Sequence, residues 1–389
     1  GKRVQTIDGT LPPQLITRYD NYQVINNDQK NLLKVGRTWV EDSPFSSEKV
    51  ITLTTNSPIQ PNDLIRYRTR VIGYRSQQNS IEIKLNDLPA FSQTVSTDTS
   101  SYQYTFFPIL YSGTTTNLTG NQITFKYNPD IAKNPNGTFY LDYVEVQYKE
   151  NLAFNGTQMN FRDYSLLSGS STNYGFSVSN ASSLEQIWDV TDITNANRRV
   201  NKAGAGSFNF GYIAADQNFN NEFVAFRADA AYTPQFVGRI SNQNLSALQA
   251  IDYLILTVPE MMGQAQRLAN YHQTRNNYKV EIVDVNKIYE EFGNGSKDLT
   301  AIRDFVTKLN TPAGRLKYVF ILGDTSYDYK NRVPNNTNVV TSYQSEHSSD
   351  YIASFVTDDY IVMTQPQTTL FVEHNLPDLP AVSYTHLTL

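Results

Sequence analysis

Three short apolar runs, separated by two amphipathic segments, constrain the fold of residues 250–322 more strongly than any other feature. The runs are Tyr253–Thr257, Val280–Val285 and Tyr318–Leu322. Each is short and almost uninterrupted, which is typical of a strand that is covered on both faces. The pattern therefore predicts three buried strands within about 70 residues.

The segments between these runs have helical spacing. Pro259 stands where the first turn of a helix accepts proline, and Asp298 is placed to cap a second helix. Strand, helix, strand, helix, strand is a parallel α/β unit whose right-handed crossovers place the helices on the sheet faces. Ligands bind such sheets at the carboxyl ends of the strands. The apolar helix positions are Met261, Ala265, Leu268 and His272, then Leu299, Ile302, Phe305 or Val306, and Leu309.

Only three strands of this sheet precede a loop-like segment that runs from Gly323 to the last residue, Leu389. We therefore expect the chain to be the front part of a larger protein. The last seven residues, Ser383–Leu389, fit no element of the predicted domain. We interpret them as a non-native tail.

Residues 34–148 show a different pattern, with short alternating runs separated by clusters of Asn, Asp, Gly, Pro and Ser. Period two indicates half-buried strands, and the regular turns favour an antiparallel sandwich of jelly-roll type. The predicted inward positions are Ile81, Ile83 and Leu85 in one strand, and Tyr140, Val144, Val146 and Tyr148 in another.

Residues 151–246 are also β-like but have longer polar connections. The prediction is thus a multi-domain protein with a β-sandwich at 1–150, a second β-rich region at 151–246, and the start of a doubly wound α/β domain at 247–382, followed by the tail at 383–389. The candidate strands of the second region are Phe154, Phe161, Tyr174–Val178, Phe208–Tyr212 and Phe223–Arg227.

Charge and cysteine content exclude several classes of function. A net charge of −5 with 18% charged residues provides no basic excess for nucleic acid or for an anionic membrane. The absence of cysteine excludes disulfides, zinc–thiolate sites and a cysteine nucleophile within these 389 residues. The pattern predicts no metal and no other cofactor.

Aspartates follow the third predicted strand. Asp324 comes directly after it, and Asp328, Asp350, Asp358 and Asp359 follow in loops expected at the same edge of the sheet. Grouped carboxylates can recognise a basic side chain or hold a hard cation, although the spacing matches no EF-hand loop. For Asp324 a structural role, capping backbone N–H groups after the strand, is the alternative.

The four histidines have no nucleophile as a partner, because the chain lacks both cysteine and a Gly-x-Ser-x-Gly elbow. His272 lies on the apolar stripe of its helix, where we expect it to be partly buried. His347 lies in a loop near the predicted edge, and His374 and His386 lie in the irregular tail.

A series of motifs between about residues 185 and 360 resembles the gingipain-type cysteine peptidases, and among them the sortases of the type IX secretion system of Bacteroidetes. The order and spacing of the motifs carry the resemblance, whereas the first 150 residues match only in β character. The motifs are Ile187–Asp192, Asn242–Leu245, Asp252–Thr257, Ala269–His272, Lys317–Asp324, Ser326–Tyr329, Tyr343–Ser345 and Thr357–Tyr360.

The resemblance implies a caspase-like catalytic domain behind β-rich regions. It implies removal of the C-terminal signal of secreted cargo by acyl transfer, in which a thiolate beside a histidine attacks the peptide carbonyl. The new carboxyl end passes to water or to an amine of anionic lipopolysaccharide. In this family the histidine and the cysteine stand later in the sequence, and both would fall after Leu389, so the chain by itself is expected to be inactive.

The resemblance also implies a location at the cell surface, on the outer membrane, with an outer-membrane β-barrel partner and cargo proteins that carry a C-terminal signal domain. By position, Asp358 or Asp359 would line the specificity pocket, and Asp324 would lie nearby. The alternative is a non-catalytic surface module whose β-sandwich binds glycan or protein. A His-Gly segment and a cysteine in further sequence would favour the enzyme.

Overall fold

The computed structural model describes residues 3–74, 79–95, 106–133, 135, 137–168, 173–202, 204–213, 221–311, 314–346, 348, 351 and 354–364. The chain forms two compact units. The first contains residues 1–26, 43–97 and 108–237, and the second contains residues 27–42, 98–107 and 238–389. The predicted boundaries at 150 and 246 stay predictions.

The described part of the first unit consists of strands joined by turns and short 3₁₀ segments. The strands are β1 (Gln5–Thr6), β2 (Arg18–Asn26), β3 (Lys49–Ile59), β4 (Ile65–Tyr74), β5 (Asn79–Leu85), β6 (Leu88–Val95), β7 (Phe106–Thr115), β8 (Gly120–Pro129), β9 (Phe139–Asn151), β10 (Gln158–Phe161), β11 (Asn173–Ser179), β12 (Gln186–Asp189), β13 (Asn197–Val200), β14 (Ser207–Ile213) and β15 (Phe223–Phe226).

Two four-stranded antiparallel sheets form a β-sandwich at the start of this unit. Their strand orders are β2-β9-β4-β7 and β3-β8-β5-β6. Side chains of β4 and β8 join the sheets: the rings of Tyr67 and Phe125 meet edge to face at 5.9 Å, and the Thr69 hydroxyl lies 2.7 Å from the Tyr127 hydroxyl. The predicted sandwich is confirmed.

The predicted alternation is correct in β5, where Ile81, Ile83 and Leu85 are buried. In β9 it is correct from Val144 onwards but wrong for Tyr140, which is only partly buried. The pairing of β4 with β9 shifts register at Asp142, which is therefore a β-bulge, and a bulge inverts the parity of the strand. Before the bulge the odd-numbered Phe139 and Leu141 point inwards.

The rest of the first unit contains a five-stranded sheet, ordered β1-β13-β12-β15-β10, and the pair β11-β14. Four phenylalanines form the centre of its core, with neighbouring ring centroids 5.1–6.4 Å apart. Stacked and edge-on arrangements both occur, as expected from aromatic quadrupoles. These residues, which the sequence placed in candidate strands, are Phe161, Phe176, Phe210 and Phe223.

The second unit has a three-stranded parallel sheet, a short hairpin and four helices within the described residues. Its elements are β16 (Tyr253–Thr257), α1 (Met262–Asn276), β17 (Val280–Asp284), α2 (Val285–Phe292), α3 (Leu299–Leu309), β18 (Tyr318–Ile321), β19 (Tyr343–Gln344), β20 (Val356–Thr357) and α4 (Asp359–Val362). The parallel sheet has the order β17-β16-β18, which confirms the predicted start of an α/β domain.

The two faces of this sheet are covered by different helices. Ile255 of β16 packs against Ala265 and Ala269 of α1. Its neighbours Leu254 and Leu256 point the other way, into the core formed with α2 and α3. Strand residues alternate between faces, so a strand that is apolar at successive positions needs cover on both.

Local signals explain the helix boundaries. Pro259 begins a 3₁₀ turn that leads into α1, and the carboxylate of Asp298 accepts the N–H of Thr300 at 2.8 Å, as predicted. The second predicted strand is one residue too long. Asp284 caps a helix that the sequence analysis missed, since its carboxylate accepts the N–H of Asn286 at 3.0 Å and α2 begins at Val285. None of the helices in the described part of the chain is long and apolar enough to cross a membrane.

Candidate functional site

The carboxyl edge of the parallel sheet is the place where the topology predicts a ligand. Thr257, the last residue of β16, donates a hydrogen bond from its hydroxyl to the carbonyl of Leu322 at 2.8 Å. This bond fixes the chain as it leaves β18. Gly323 follows with φ of +146°, a conformation that glycine adopts far more readily than other residues.

The loop after Gly323 turns back to the end of the strand. The backbone carbonyl of Asp324 accepts the N–H groups of Val339 and Val340 at 2.9 and 3.1 Å. A Cβ at Gly323 would lie 2.7 Å from a methyl group of Val339. Asp324 thus holds the loop through its main chain, and its side chain is exposed at the edge.

Asp328 closes this loop from the inside. Its side chain is fully buried, one carboxylate oxygen accepts the N–H of Val333 at 2.7 Å, and its carbonyl accepts the amide of Asn336 at 2.6 Å. These contacts give Asp328 a structural role. Within the residues that the structure describes, no three His, Cys, Asp or Glu side chains are grouped as a metal site.

Asp358 and Asp359 follow the β19–β20 hairpin and begin α4. The N–H of Asp359 donates to the Thr357 hydroxyl at 3.1 Å, and the carbonyl of Asp358 accepts the N–H of Ile361 at 3.0 Å. Both side chains are partly buried. Burial raises the pKa of Asp358, and the neighbouring Asp359 charge raises it further. Two adjacent carboxylates in this setting could accept a basic group.

A stack of alternating cations and rings lies beside these carboxylates. Tyr360 stacks on Tyr343 with centroids 5.5 Å apart, and the Arg303 guanidinium lies 4.6 Å from the centre of the Tyr360 ring. On the other side, Arg37 lies 5.5 Å from the centre of the Tyr343 ring. The sequence analysis included both tyrosines in its motifs, but Arg37 comes from a distant part of the chain and carried no signal.

The structure does not bring all predicted residues together. Among the described residues, no hydrogen bond or ion pair links Asp324 to Asp358 or Asp359. His272 is partly buried, as expected, and stacks on Tyr253 with centroids 4.4 Å apart. Four other predicted positions, together with the tail at 383–389, lie outside the described residues: His347, Asp350, His374 and His386.

The class of protein follows from the sequence of the α/β part. Residues 246–382 match the sequence profile of Peptidase family C25. The match covers the parallel sheet, its helices and the loops at its carboxyl edge. The resemblance to the gingipain-type peptidases is thereby confirmed for this part of the chain.

The particular structure it resembles is a solved type IX sortase. The fold matches the crystal structure of dimeric latent PorU from Porphyromonas gingivalis with a TM-score of 0.75 at 21% identity, over 94% of this chain and 36% of that one. At this identity the match shows a shared fold. The chain therefore spans about a third of the length of PorU.

Other structural similarities are much weaker. The insecticidal delta-endotoxin Cry8Ea1 of Bacillus thuringiensis matches with a TM-score of 0.19 at 17% identity, over 27% of this chain and 19% of that one. A carbohydrate-binding module CBM36 in complex with calcium and xylotriose matches with a TM-score of 0.21 at 10% identity, over 32% and 98%. Scores this low support no conclusion. No curated protein matches the chain.

Proposed function

We propose that the chain is part of a gingipain-type cysteine peptidase that acts as a type IX sortase on secreted cargo. The observation that carries the proposal is the similarity to PorU over 94% of the chain, which includes the β-rich unit as well as the region matching Peptidase family C25. A peptidase domain alone would not need the β-rich part to match.

In the proposed reaction a thiolate activated by a histidine attacks the peptide carbonyl before the C-terminal signal of the cargo. An oxyanion hole stabilises the tetrahedral intermediate, and water or an amine resolves the thioester. The 389 residues contain no cysteine. The nucleophile, and with it the paired histidine, is therefore supplied by residues outside this sequence.

The contribution of this chain is a frame for the substrate. The sheet with its capped helices positions the carboxyl edge, and at that edge Asp358, Asp359 and Asp324 are proposed to bind the substrate. Carboxylates suit a basic side chain or an amino group, because charge-assisted hydrogen bonds are stronger than neutral ones. The raised pKa of Asp358 means that binding through it strengthens as the pH rises through that pKa.

The proposed setting follows from the same resemblance. The protein would act at the cell surface, on the outer membrane, with an outer-membrane β-barrel as partner. Its substrates would be cargo proteins with a C-terminal signal domain, and anionic lipopolysaccharide would be an acceptor of the new carboxyl end.

The test compares this chain with a longer product of the same gene that includes a cysteine. We expect the longer protein to cleave a peptide that spans the start of a C-terminal signal, and an alkylating reagent to abolish the cleavage. The 389-residue chain should show no alkylation-sensitive cleavage. A longer product without cysteine-dependent activity, whose β-sandwich binds glycan or protein, would contradict the proposal and support a non-catalytic module.

Variants of the longer protein test the substrate-binding residues. Asp358→Asn and Asp359→Asn should raise KM for substrates with a basic group near the cleavage site about 10-fold or more, the loss expected for a charge-assisted contact of about 1.5–3 kcal/mol. Asp304→Asn removes an exposed carboxylate from α3 and serves as the matched control. An equal effect of all three variants would exclude a specific role at the edge.

A further inference from the structure

Residues Asn27–Asp42, here called the strap, belong to the second unit although they lie between β2 and β3 of the first. The ends of the strap meet, because Lys30 and Val40 pair as an antiparallel bridge. Inside it, the side-chain oxygen of Asn31 accepts the N–H groups of Leu33 and Val35, each at 3.2 Å. The strap is thus a closed loop with its own internal bonds, as in an Ω-loop.

The strap binds the loop segment 344–348 mainly through its main chain. The N–H of Gly36 donates to the side-chain oxygen of Gln344 at 3.0 Å, and the N–H of Arg37 donates to the carbonyl of Ser345 at 2.8 Å. The N–H of Thr38 donates to the Ser348 hydroxyl at 3.0 Å. Three consecutive N–H groups therefore have partners on one short segment, as in the recognition of an extended peptide.

Side chains anchor the strap at two further points. Trp39 is 1% exposed; it stacks on Tyr327 at 5.7 Å, and the Arg332 guanidinium lies 4.8 Å from its ring. Arg332 also forms an ion pair with Asp28. A buried tryptophan beside an arginine is the kind of anchor that dominates binding energies at interfaces.

The same contact region contains polar atoms without hydrogen-bond partners in the described chain. They are the indole N–H of Trp39, one amino group of Arg332 and the side-chain nitrogen of Gln344. Each buried polar group without a partner makes the docked state less favourable. The contact therefore combines strong anchors with an opposing cost, which suits reversible docking better than a permanent core.

The strap reaches the predicted substrate-binding segment through the aromatic stack. Arg37 lies on Tyr343, and Tyr343 stacks on Tyr360, which directly follows Asp359. Release of the strap removes Arg37 from one end of this stack. The segment 354–364 then keeps only the Arg303 end.

We propose that the strap is an internal peptide ligand of the α/β unit, which docks and undocks as one piece and, when docked, orders the segment that carries Asp358 and Asp359. The inference does not depend on the proposed peptidase chemistry. Its tests measure docking and order, so that they can fail while the peptidase proposal stands, or the reverse.

The first experiment uses Trp39 as a reporter in the 389-residue chain. The chain has two tryptophans, so that Trp188→Phe leaves Trp39 as the only indole. We expect blue-shifted emission that is shielded from acrylamide. Adding Arg332→Ala should shift the emission to the red and increase quenching severalfold. Arg275→Ala, which removes an arginine stacked on Tyr271 of α1, is the matched control and should change neither.

The second experiment follows hydrogen exchange of the backbone in Trp39→Ala. Exchange should accelerate at least 10-fold in 344–348 and 354–364 while β16 stays protected. A synthetic peptide of residues 27–42 should restore the protection, and the same peptide with Trp39→Ala should not.

Three results would overturn the proposal. Loss of protection in β16 together with the loops would make the strap an ordinary part of the core. Unchanged exchange in 354–364 would remove the link to Asp358. Failure of the peptide to restore protection would show that the strap does not act as a ligand.

Discussion

At the scale of single residues, Asp252 shows how one carboxylate can align three strands. It precedes β16; its carboxylate accepts the N–H of Lys279, before β17, at 2.9 Å, and pairs with Arg315, before β18, at 2.9 Å. The Lys279 N–H lowers the pKa of Asp252, and the Arg315 charge lowers it further. The stabilisation is therefore present above the ordinary carboxylate pKa and is lost as the pH falls through the lowered pKa.

Gly323 is the residue at the carboxyl edge where a side chain is least tolerated. We expect Gly323→Ala to destabilise the second unit by about 1–3 kcal/mol, because alanine would be held in an unfavourable region of φ/ψ and would contact Val339. Gly263→Ala in α1 is the control. Its Cβ meets nothing within 4 Å, and we expect it to stabilise the helix by about 0.5–1 kcal/mol. Denaturant unfolding of both variants measures the difference.

Asp358 should make stability depend on pH in the direction opposite to Asp252. Its pKa is raised in the folded chain, so that the folded state holds the proton more tightly than the unfolded state. Stability from this group is present below the ordinary pKa of 3.8 and is lost as the pH rises through the raised pKa. We expect Asp358→Asn to raise Tm near neutral pH and to have little effect in acid.

Thermal unfolding across this pH range tests the prediction, with Asp304→Asn as the background for removal of an exposed carboxylate. A Tm gain for Asp358→Asn that is the same in acid and at neutral pH would contradict the assignment of the shift to Asp358.

At the scale of elements, capping residues decide where the helices of the α/β unit begin. Asp284 and Asp298 each accept an N–H from the first turn of the following helix, at 3.0 and 2.8 Å. An aspartate at this position satisfies a free N–H group and also interacts favourably with the helix dipole. Strand β17 therefore ends at Asp284 itself, and α2 follows without a connecting loop.

Removal of one cap has a measurable cost. We expect Asp298→Ala to lower the free energy of unfolding of the second unit by about 1 kcal/mol, because the N–H of Thr300 loses its acceptor. Asp304→Ala on the exposed side of α3 should change it by less than about 0.5 kcal/mol. Emission of Trp39 in the Trp188→Phe background reports on this unit, and equal effects of the two variants would contradict the capping role.

At the scale of the whole molecule, the units do not coincide with segments of the sequence. The second unit takes residues 27–42 from the first part of the chain. These residues bury Trp39 and bind the segment 344–348. A fragment cut at the apparent change of pattern near residue 250 therefore lacks a piece of its own unit.

This organisation predicts the behaviour of the isolated α/β segment. We expect residues 250–389 to aggregate at concentrations where the 389-residue chain stays dispersed. In the described sheet β17 and β18 each pair with only one strand, and without the strap Tyr327 and Arg332 lose their cover. Light scattering of the two proteins under the same conditions measures this. A dispersed fragment that unfolds cooperatively would contradict the prediction.

The candidate site could be predicted only in part. The sequence placed Asp324, Asp358 and Asp359 in loops after the third strand, and their role in substrate binding stays a prediction. It also placed Asp328 there, but that side chain is buried within its loop. The Tyr343–Tyr360 stack and Arg37 were missed, because contacts between residues hundreds of positions apart leave no local pattern.

Local chemistry determined much of the fold from the sequence alone. Apolar period, proline and capping residues act over a few positions, and they identified β5, the parallel strands, α1 and α3. Only the tertiary structure decided three further features: the bulge at Asp142 that inverts part of β9, the start of α2 at Val285, and the docking of the strap on the α/β unit. Register and docking depend on partners that lie far away in the sequence, so the balance is settled by long-range packing rather than by neighbouring residues.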